Sequence, residues 1–238
     1  MKHTLCFLFL LISISINAQS NSLKENTDGD TIFSPKLTGE AFIENKQYIG
    51  EQYFITDWVK GDILLSTGDM VYNKSLKYNG LFDEVIWMNT SNFSKYKLDK
   101  SFISDFWLRR DQGDTIHFTR INADETNSNH PLEIFVQVGI EGKVSLYIQR
   151  KIRIVSEEYM YHNNKLLYYN NVANRPLYYI KLPSTGLTCM NRIHRRTFLR
   201  LFPDQKKKIS KLLKDHHLNF KTEYDLIKVI GLLNEEEF

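Results

Sequence analysis

The sequence predicts an α+β fold that is mainly β, with an antiparallel meander followed by three short C-terminal helices. Runs of aromatic and β-branched residues, separated by turn residues, fill residues 53–182. Two alternating runs flank a glycine-containing turn at residues 140–142. After Pro183 the apolar residues change from alternation to helical spacing. The pattern leaves open whether the meander curls into a barrel or roll or folds into a sandwich.

Residues 1–18 have the composition of an export signal. Lys2 precedes an apolar run, and small or polar residues close the segment at 17–19. The apolar run is too short to span a bilayer, which needs about 20 apolar residues. We therefore expect cleavage near Ala18 or Gln19 and an exported protein that is periplasmic or associated with the cell envelope.

The remaining chain divides into three parts by composition. Residues 19–40 are polar and predict a flexible leader. Residues 41–186 predict the antiparallel β domain, and residues 187–238 predict a helical segment packed on it. After the signal no stretch approaches 18 uninterrupted apolar residues, so we expect no transmembrane segment in the mature chain.

Charge and cysteine content narrow the function classes. The formal net charge of the chain is +3, and loss of Lys2 would reduce it to +2. This small excess gives no reason to expect nucleic acid as a partner. Cys6 would leave with the signal, so Cys189 would be the only thiol and no intramolecular disulfide is expected.

The β domain begins with a predicted hairpin whose turn is Ser66, Thr67 and Gly68. Its arms are residues 62–65 and 69–78. The further predicted strands are residues 84–88, 95–98, 102–108, 115–120, 166–169 and 177–182.

The turn at residues 140–142 predicts a specific register. A two-residue turn would scatter the apolar residues over both faces of the hairpin. A three-residue turn with Gly142 in the left-handed conformation sets Val138 opposite Val144, and likewise Val136 opposite Leu146 and Ile134 opposite Ile148. Because alternation continues through Ile152 and Ile154, we expect the second arm to be one long strand.

Three helices are predicted at the C-terminal end. The first covers residues 191–202 and ends at Pro203. Asp204 is expected to cap the second, whose apolar residues are Ile209, Leu212 and Leu213. Thr222 and Asp225 resemble a capping box. The third helix is then expected to bury Leu226, Ile227, Ile230 and Leu233.

Three segments together resemble a known group of sequences: the hairpin from Lys60-Gly61-Asp62-Ile63 to Tyr78-Asn79, the turn Ile140-Glu141-Gly142-Lys143-Val144-Ser145-Leu146, and the ending from Leu201-Phe202-Pro203-Asp204 to Asn234. The chain resembles a family of exported, functionally uncharacterised proteins of Bacteroidetes-type bacteria. The resemblance covers most of the mature chain and implies a location. It carries over no catalytic residue.

The predicted helices carry a dense run of cations. Asp204 is the only acid between residues 192 and 214. The run indicates a contact with an anionic membrane surface or an envelope protein. The alternative is that the cations are the solvated faces of two amphipathic helices. The candidate contact residues are Arg192, Arg195, Arg196, Arg200, Lys206, Lys207, Lys208 and Lys211.

The weak catalytic candidates are His117, Asp105 and Asp114. His117 lies between two apolar residues in a predicted strand, and a positioned histidine and carboxylate can perform acid/base chemistry. The alternative is that Asp114 belongs to a hairpin turn and His117 is an ordinary face residue. No metal-ligand, phosphate-loop or dinucleotide motif is present, so we expect no metal and no cofactor.

These observations favour a soluble or peripherally membrane-associated envelope protein that binds or interacts and does not catalyse. One alternative is a periplasmic hydrolase with its site around His117. Another is a carrier that holds an apolar ligand inside the curled sheet.

Overall fold

The computed structural model describes residues 37–44, 47–110, 113–122 and 133–235. The predicted signal at residues 1–18 and most of the predicted leader lie outside these residues. The described part is mostly antiparallel β with three C-terminal α-helices, as predicted. No helix within the described ranges is long and apolar enough to cross a membrane.

The strands and helices follow one another along the described chain with one short 3-10 helix at Lys100–Phe102. The strands are β1 Gly39–Ala41, β2 Tyr48–Ile49, β3 Val59–Leu65, β4 Met70–Asn79, β5 Glu84–Met88, β6 Lys95–Leu98, β7 Ile103–Arg109, β8 Thr115–Asn122, β9 Glu133–Ile140, β10 Ser145–Gln149, β11 Ile152–His162, β12 Lys165–Asn174, β13 Leu177–Leu182 and β14 Gly186–Met190. The helices are α1 Arg195–Arg200, α2 Lys206–Asp215 and α3 Glu223–Glu235.

Eleven of the described strands form one antiparallel sheet in the order β1-β6-β5-β4-β3-β7-β8-β9-β10-β13-β14. The other three form a small sheet in the order β11-β12-β2, in which β2 pairs with β12 in parallel. Strands β11 and β12 form a long hairpin that leaves the large sheet.

The large sheet curls strongly. Tyr78 of β4 and Phe135 of β9 belong to strands four positions apart in the sheet order. In a flat sheet that separation is about 19 Å. The two ring centroids are only 6.5 Å apart, so the sheet bends round until β4 meets β9.

Aromatic rings fill the inside of the curl. Phe106 and Phe118 stack with their ring centroids 4.7 Å apart, and Tyr78 and Phe135 close around them. All four side chains are buried. This part of the core is therefore packed with side chains.

The three helices cover a continuation of the same sheet face. Phe118 pairs with Gln137, and Gln137 pairs with Ile148, so all three residues lie on one face. Ile148 belongs to the cluster that packs against the helices, together with Phe198 of α1 and Leu212 of α2. The helices thus extend the core that begins inside the curl.

Several predicted strands are confirmed. The hairpin turn at Ser66–Gly68 forms between β3 and β4, with Gly68 at φ +91° and its N–H donating to Leu65. Strands β5, β6 and β13 have the predicted bounds. Two differences concern segment ends: Gly39 and Glu40, predicted in the leader, belong to β1, and strand β14 extends beyond residue 186.

The prediction of one long strand after the turn is wrong. The chain leaves the large sheet after β10 and starts β11 at Ile152. The Arg150 guanidinium is held by Gln137 and Glu223, and the Ile152 N–H donates to the carbonyl of Gly80. These contacts bind the linking residues to other parts of the fold and redirect the strand.

The predicted register of the β9–β10 hairpin is also wrong. Leu146 pairs with Ile140 and Tyr147 with Val138, around residues 141–144 and a bulge. Gly142 does not have the positive φ that the prediction required. Instead it leaves space for Asn234 of α3, because a Cβ at this position would lie 2.5 Å from Asn234 Nδ2.

Asn234 holds this turn from the side of α3. Its Oδ1 accepts from the Val144 N–H at 2.8 Å, and its Nδ2 donates to the Val144 carbonyl at 2.9 Å. We expect Asn234→Ala to lower the free energy of unfolding by about 1–3 kcal/mol, because both backbone groups lose a partner in a largely buried place.

Urea unfolding measures this effect. Asn92→Ala serves as the control, since Asn92 also accepts from a backbone N–H but lies in an exposed turn. It should cost less than about 0.5 kcal/mol. Equal losses for the two variants would contradict the proposed role of Asn234.

The helix predictions are partly confirmed. Thr222 and Asp225 form the predicted capping box, with each side chain accepting from the other's backbone N–H. The predicted cap by Asp204 is wrong, because α2 starts one residue later, with Gln205 at its N-cap and no side-chain cap bond. Helix α1 is shorter than predicted and begins at Arg195.

Candidate functional site

His117 and Asp105 lie together on the sheet face opposite the aromatic core. Trp107 of β7 pairs with His117 of β8, which places Asp105 diagonally across the ladder. His117 Nε2 is 2.8 Å from Asp105 Oδ1, and the imidazole stacks on the Trp107 ring with centroids 4.8 Å apart. The predicted association of these two residues is present, and the stacking fixes the ring.

The surroundings of Asp105 favour its charged form. Burial acts to raise the pKa of Asp105, but hydrogen bonds from His117 and Thr119 outweigh it and leave the pKa below its usual value. Asp114 lies beyond the ends of both strands, in the exposed turn. The structure therefore brings together two of the three predicted residues on an open strand face.

The eight predicted cationic contact residues are all exposed. Helices α1 and α2 bury Phe198, Ile209, Leu212 and Leu213 against the sheet and direct their basic side chains outward. The amphipathic explanation of this run is thus correct for its apolar residues.

One of the eight, Arg192, lines a cleft that the sequence did not reveal. The cleft has a volume of about 760 Å³. It lies where the β11–β12 hairpin leaves the body, next to the start of β13 and the end of β14. Arg153, Arg175, Arg192 and Lys221 contribute its cations, and no carboxylate belongs to its described lining.

Each cation reaches the cleft from a different element. Arg153 lies near the start of β11, opposite Ala173 of β12. Arg175 follows β12, where its N–H donates to the Lys151 carbonyl at 2.7 Å. Arg192 follows β14, and Lys221 precedes α3. The cleft is therefore a product of the tertiary fold.

The described acids near the cleft are bound to other groups. None of the four cations belongs to an ion pair among the described residues. Glu223, close by in α3, is held by Arg150 at 2.7 and 2.9 Å. Asp225 accepts from the backbone N–H groups of Lys221 and Thr222.

The rest of the lining supplies amides and apolar surface. Asn174 and Asn191 offer further donors beside the cations. Tyr178 lies at the wall, and burial together with the Glu223 carboxylate raises its pKa to about 12. Its hydroxyl therefore stays protonated at neutral pH. The apolar part of the lining is Ile154, Val155, Pro176, Leu177 and Ile193.

Comparison with protein-family models, curated proteins and solved structures finds no match for the chain. Its chemistry must therefore be argued from its own residues.

The side chains that line the cleft are suited to bind an anion. Guanidinium groups present planar pairs of N–H donors that fit phosphate and carboxylate oxygens, while lysine adds a compact charge. Over the described residues no three His, Cys, Asp or Glu side chains converge to hold a metal ion.

A second, apolar cleft of about 460 Å³ lies at the other end of the β13–β14 hairpin. Leu182, Leu201, Phe202 and Leu233 line it, with Lys143 at its edge. It is outside the curl of the sheet. An apolar ligand inside the curl, as the carrier hypothesis places it, would have to displace the rings of Phe106 and Phe118.

Sequence reasoning found Arg192 as part of a charge run and missed its three partners. They are far apart along the chain, so no local pattern joins them. The dipeptide Asn-Arg occurs at two of these places, as Asn174-Arg175 at the end of strand β12 and as Asn191-Arg192 just after strand β14.

Proposed function

We propose that this protein is an exported, non-catalytic binding module of the cell envelope that engages phosphate-bearing anionic headgroups through the cleft of Arg153, Arg175, Arg192 and Lys221. The observation that carries the proposal is a cleft of about 760 Å³ with four cations and no carboxylate in its described lining. Like charges held close together repel one another, and an anion bound among them reduces that repulsion.

The exposed helices extend the same electrostatic surface. Arg192 belongs to the cleft and lies only a few residues before α1, whose Arg195 and Arg196 are exposed. Each Lys or Arg near an anionic membrane surface contributes about 1 kcal/mol of attraction. The cleft would supply specific donors, and the helices would strengthen attachment to the same surface.

Binding is favoured over hydrolysis by the position of the candidate groups. His117 and Asp105 lie on the open face of β7 and β8, whereas the cations line a cleft beside β11, β13 and β14. A hydrolytic site needs the base and the charge-stabilising donors around one reacting atom. Here they are on separate parts of the sheet.

Co-sedimentation with lipid vesicles tests the proposal. The protein without residues 1–18 should bind phosphatidylglycerol vesicles at low salt, bind phosphatidylcholine vesicles far less, and lose binding at high salt. The double variant Arg175→Gln, Arg192→Gln should bind at least roughly tenfold more weakly, since it removes two cations.

A control variant separates the cleft from general surface charge. Lys207→Gln, Lys211→Gln removes the same charge from the exposed face of α2 and should weaken binding less than the cleft variant does. Equal binding to phosphatidylglycerol and phosphatidylcholine vesicles would contradict the proposal. A larger loss of binding with the α2 variant would indicate that the helices, and not the cleft, contact the membrane. If the cleft itself binds the anion, saturating inorganic phosphate should compete with vesicle binding.

A further inference from the structure

The β11–β12 hairpin carries a sheet edge, along β11, that no described strand pairs with. The small strand β2 covers β12 only at Asn170 and Asn171, so among the described strands the distal part of the hairpin consists of β11 and β12 alone. An isolated two-stranded hairpin is marginally stable in water. This one also exposes large apolar side chains, with Tyr159 64% and Tyr161 80% exposed.

The free edge of β11 has a regular segment with sharp limits. A bulge interrupts the ladder at Val155, and the turn of Asn163 and Asn164, with φ of 49° and 59°, ends it. Between them residues 156–162 pair without a shift. Natural edges are usually protected by charged side chains, especially lysine, by proline or by bulges. This segment has no lysine or proline, and its acidic residues are Glu157 and Glu158. Tyr159 is its midpoint.

The alternation of hydrogen bonding along the β11–β12 ladder determines which β11 residues direct their backbone groups toward a new strand. A two-residue turn of this type closes on a hydrogen-bonded pair, here His162 and Lys165. Bonded and non-bonded pairs then alternate along the ladder. The backbone N–H and C=O groups of Glu157, Tyr159 and Tyr161 consequently point away from β12.

We propose that the β11 edges of two copies of this chain pair antiparallel about a two-fold axis at Tyr159. This register uses the whole regular segment and sets Tyr159 against Tyr159 of the second copy. It sets Glu157 opposite Tyr161, so each outward-pointing backbone group meets another. The two small sheets become one continuous sheet across the dimer.

Charge favours this register over its neighbours. An axis at residue 157 or 158 would place Glu157 or Glu158 directly opposite its own copy, and like charges in that position are destabilising. The axis at Tyr159 sets Glu158 opposite Met160. Tyr159 already packs on Tyr168 with ring centroids 5.4 Å apart, so the two-fold axis joins two such pairs into one aromatic cluster.

Disulfide crosslinking tests the register in a Cys189→Ser background, which removes the only cysteine among the described residues. Paired residues at the axis have Cα atoms about 5.5 Å apart, within the range that a disulfide bridges. Tyr159→Cys should form a covalent dimer under mild oxidation. Glu157→Cys should not, because four residues of strand separate its two copies by about 13 Å.

Two further variants make the outcome decisive. Glu157→Cys combined with Tyr161→Cys should crosslink again, since these positions face each other in the proposed register. Tyr224→Cys, at an exposed site on α3, measures collision alone. Crosslinking of Tyr159→Cys no faster than Tyr224→Cys, or of Glu157→Cys as fast as Tyr159→Cys, would overturn the proposal. Sedimentation equilibrium of the protein without residues 1–18 should show a concentration-dependent dimer that Tyr159→Glu abolishes.

Discussion

Asp83→Ala is expected to lower the free energy of unfolding by about 3–5 kcal/mol, because it removes the carboxylate that pairs with a partly buried charge and accepts from a buried hydroxyl. Asp83 lies in the turn between β4 and β5 and is almost fully buried. Its carboxylate accepts from the Tyr78 hydroxyl at 2.7 Å and from Lys100 Nζ at 2.6 Å. The Phe135 N–H of β9 approaches both of its oxygens at 3.3 Å.

The Asp83 carboxylate links strands β4 and β9 where the curled sheet brings them together. Tyr78 belongs to β4 and Phe135 to β9, the two strands that meet when the sheet bends. Without Asp83 the donors on both sides of that meeting would face an apolar core. We therefore expect the loss to exceed that of an ordinary surface ion pair, which is about 0–1 kcal/mol.

Urea unfolding of Asp83→Ala, Lys100→Met and the double variant measures the coupling. Asp69→Ala is the control, because Asp69 is exposed and accepts from Thr67 within one turn. It should cost less than about 1 kcal/mol. The double variant should be less destabilised than the sum of the single ones, since removing both members leaves no unpaired charge. A loss below about 1 kcal/mol for Asp83→Ala would refute the role assigned to it.

Local chemistry in the sequence predicted most of the strands and one helix cap. The turn at Ser66–Gly68 and the box of Thr222 and Asp225 involve residues within a few positions of one another, so their pattern is visible in the sequence. The His117–Asp105 contact was also accessible, because it joins adjacent strands of one hairpin.

Long-range contacts account for two of the wrong predictions and for the missed cleft. The register after Ile140 depends on Asn234, which is 90 residues from its partner Val144. The end of β10 depends on Arg150, which is held by Glu223 of α3. The cleft cations lie in β11, just after β12, just after β14 and just before α3, and only the completed fold brings them together. In the register of the β9–β10 hairpin and at the end of β10, a side chain from a distant segment overrides the local pattern.

Stability is expected to fall by about 5 kcal/mol between pH 9 and pH 11, because four buried tyrosines resist ionisation in the folded state. Burial is the main cause that raises the pKa of each one, aided by Glu44 at Tyr53, by Asp83 at Tyr78, by Glu223 at Tyr178 and by Cys189 at Tyr179. All four side chains are less than 9% exposed.

Stability falls with rising pH because the pKa values of the tyrosines are higher in the folded state than in the unfolded chain. Below pH 10 the tyrosines are protonated in both states and the stability is fully present. Above pH 10 the unfolded chain releases these protons and the folded chain keeps them, so unfolding becomes easier until the folded pKa is reached. Between pH 9 and pH 11 each tyrosine therefore lowers the free energy of unfolding by about 1.4 kcal/mol. Lys97, whose pKa is raised by Glu40 and Glu84, acts in the same direction, and Lys151, whose pKa is lowered by burial, opposes it.

Tyr179→Phe isolates one contribution. Among the described residues the buried Tyr179 hydroxyl has no hydrogen-bond partner at good geometry, so its removal should destabilise the protein little at pH 7. It should reduce the alkaline loss by about 1.4 kcal/mol, whereas Tyr224→Phe, at an exposed site on α3, should leave it unchanged. Urea unfolding of the three proteins at pH 7, 9 and 11 makes the comparison. In the folded state the buried Tyr179 hydroxyl keeps its proton up to a higher pH than in the unfolded chain. If the alkaline loss of stability were the same with and without this hydroxyl, a group other than Tyr179 would cause it.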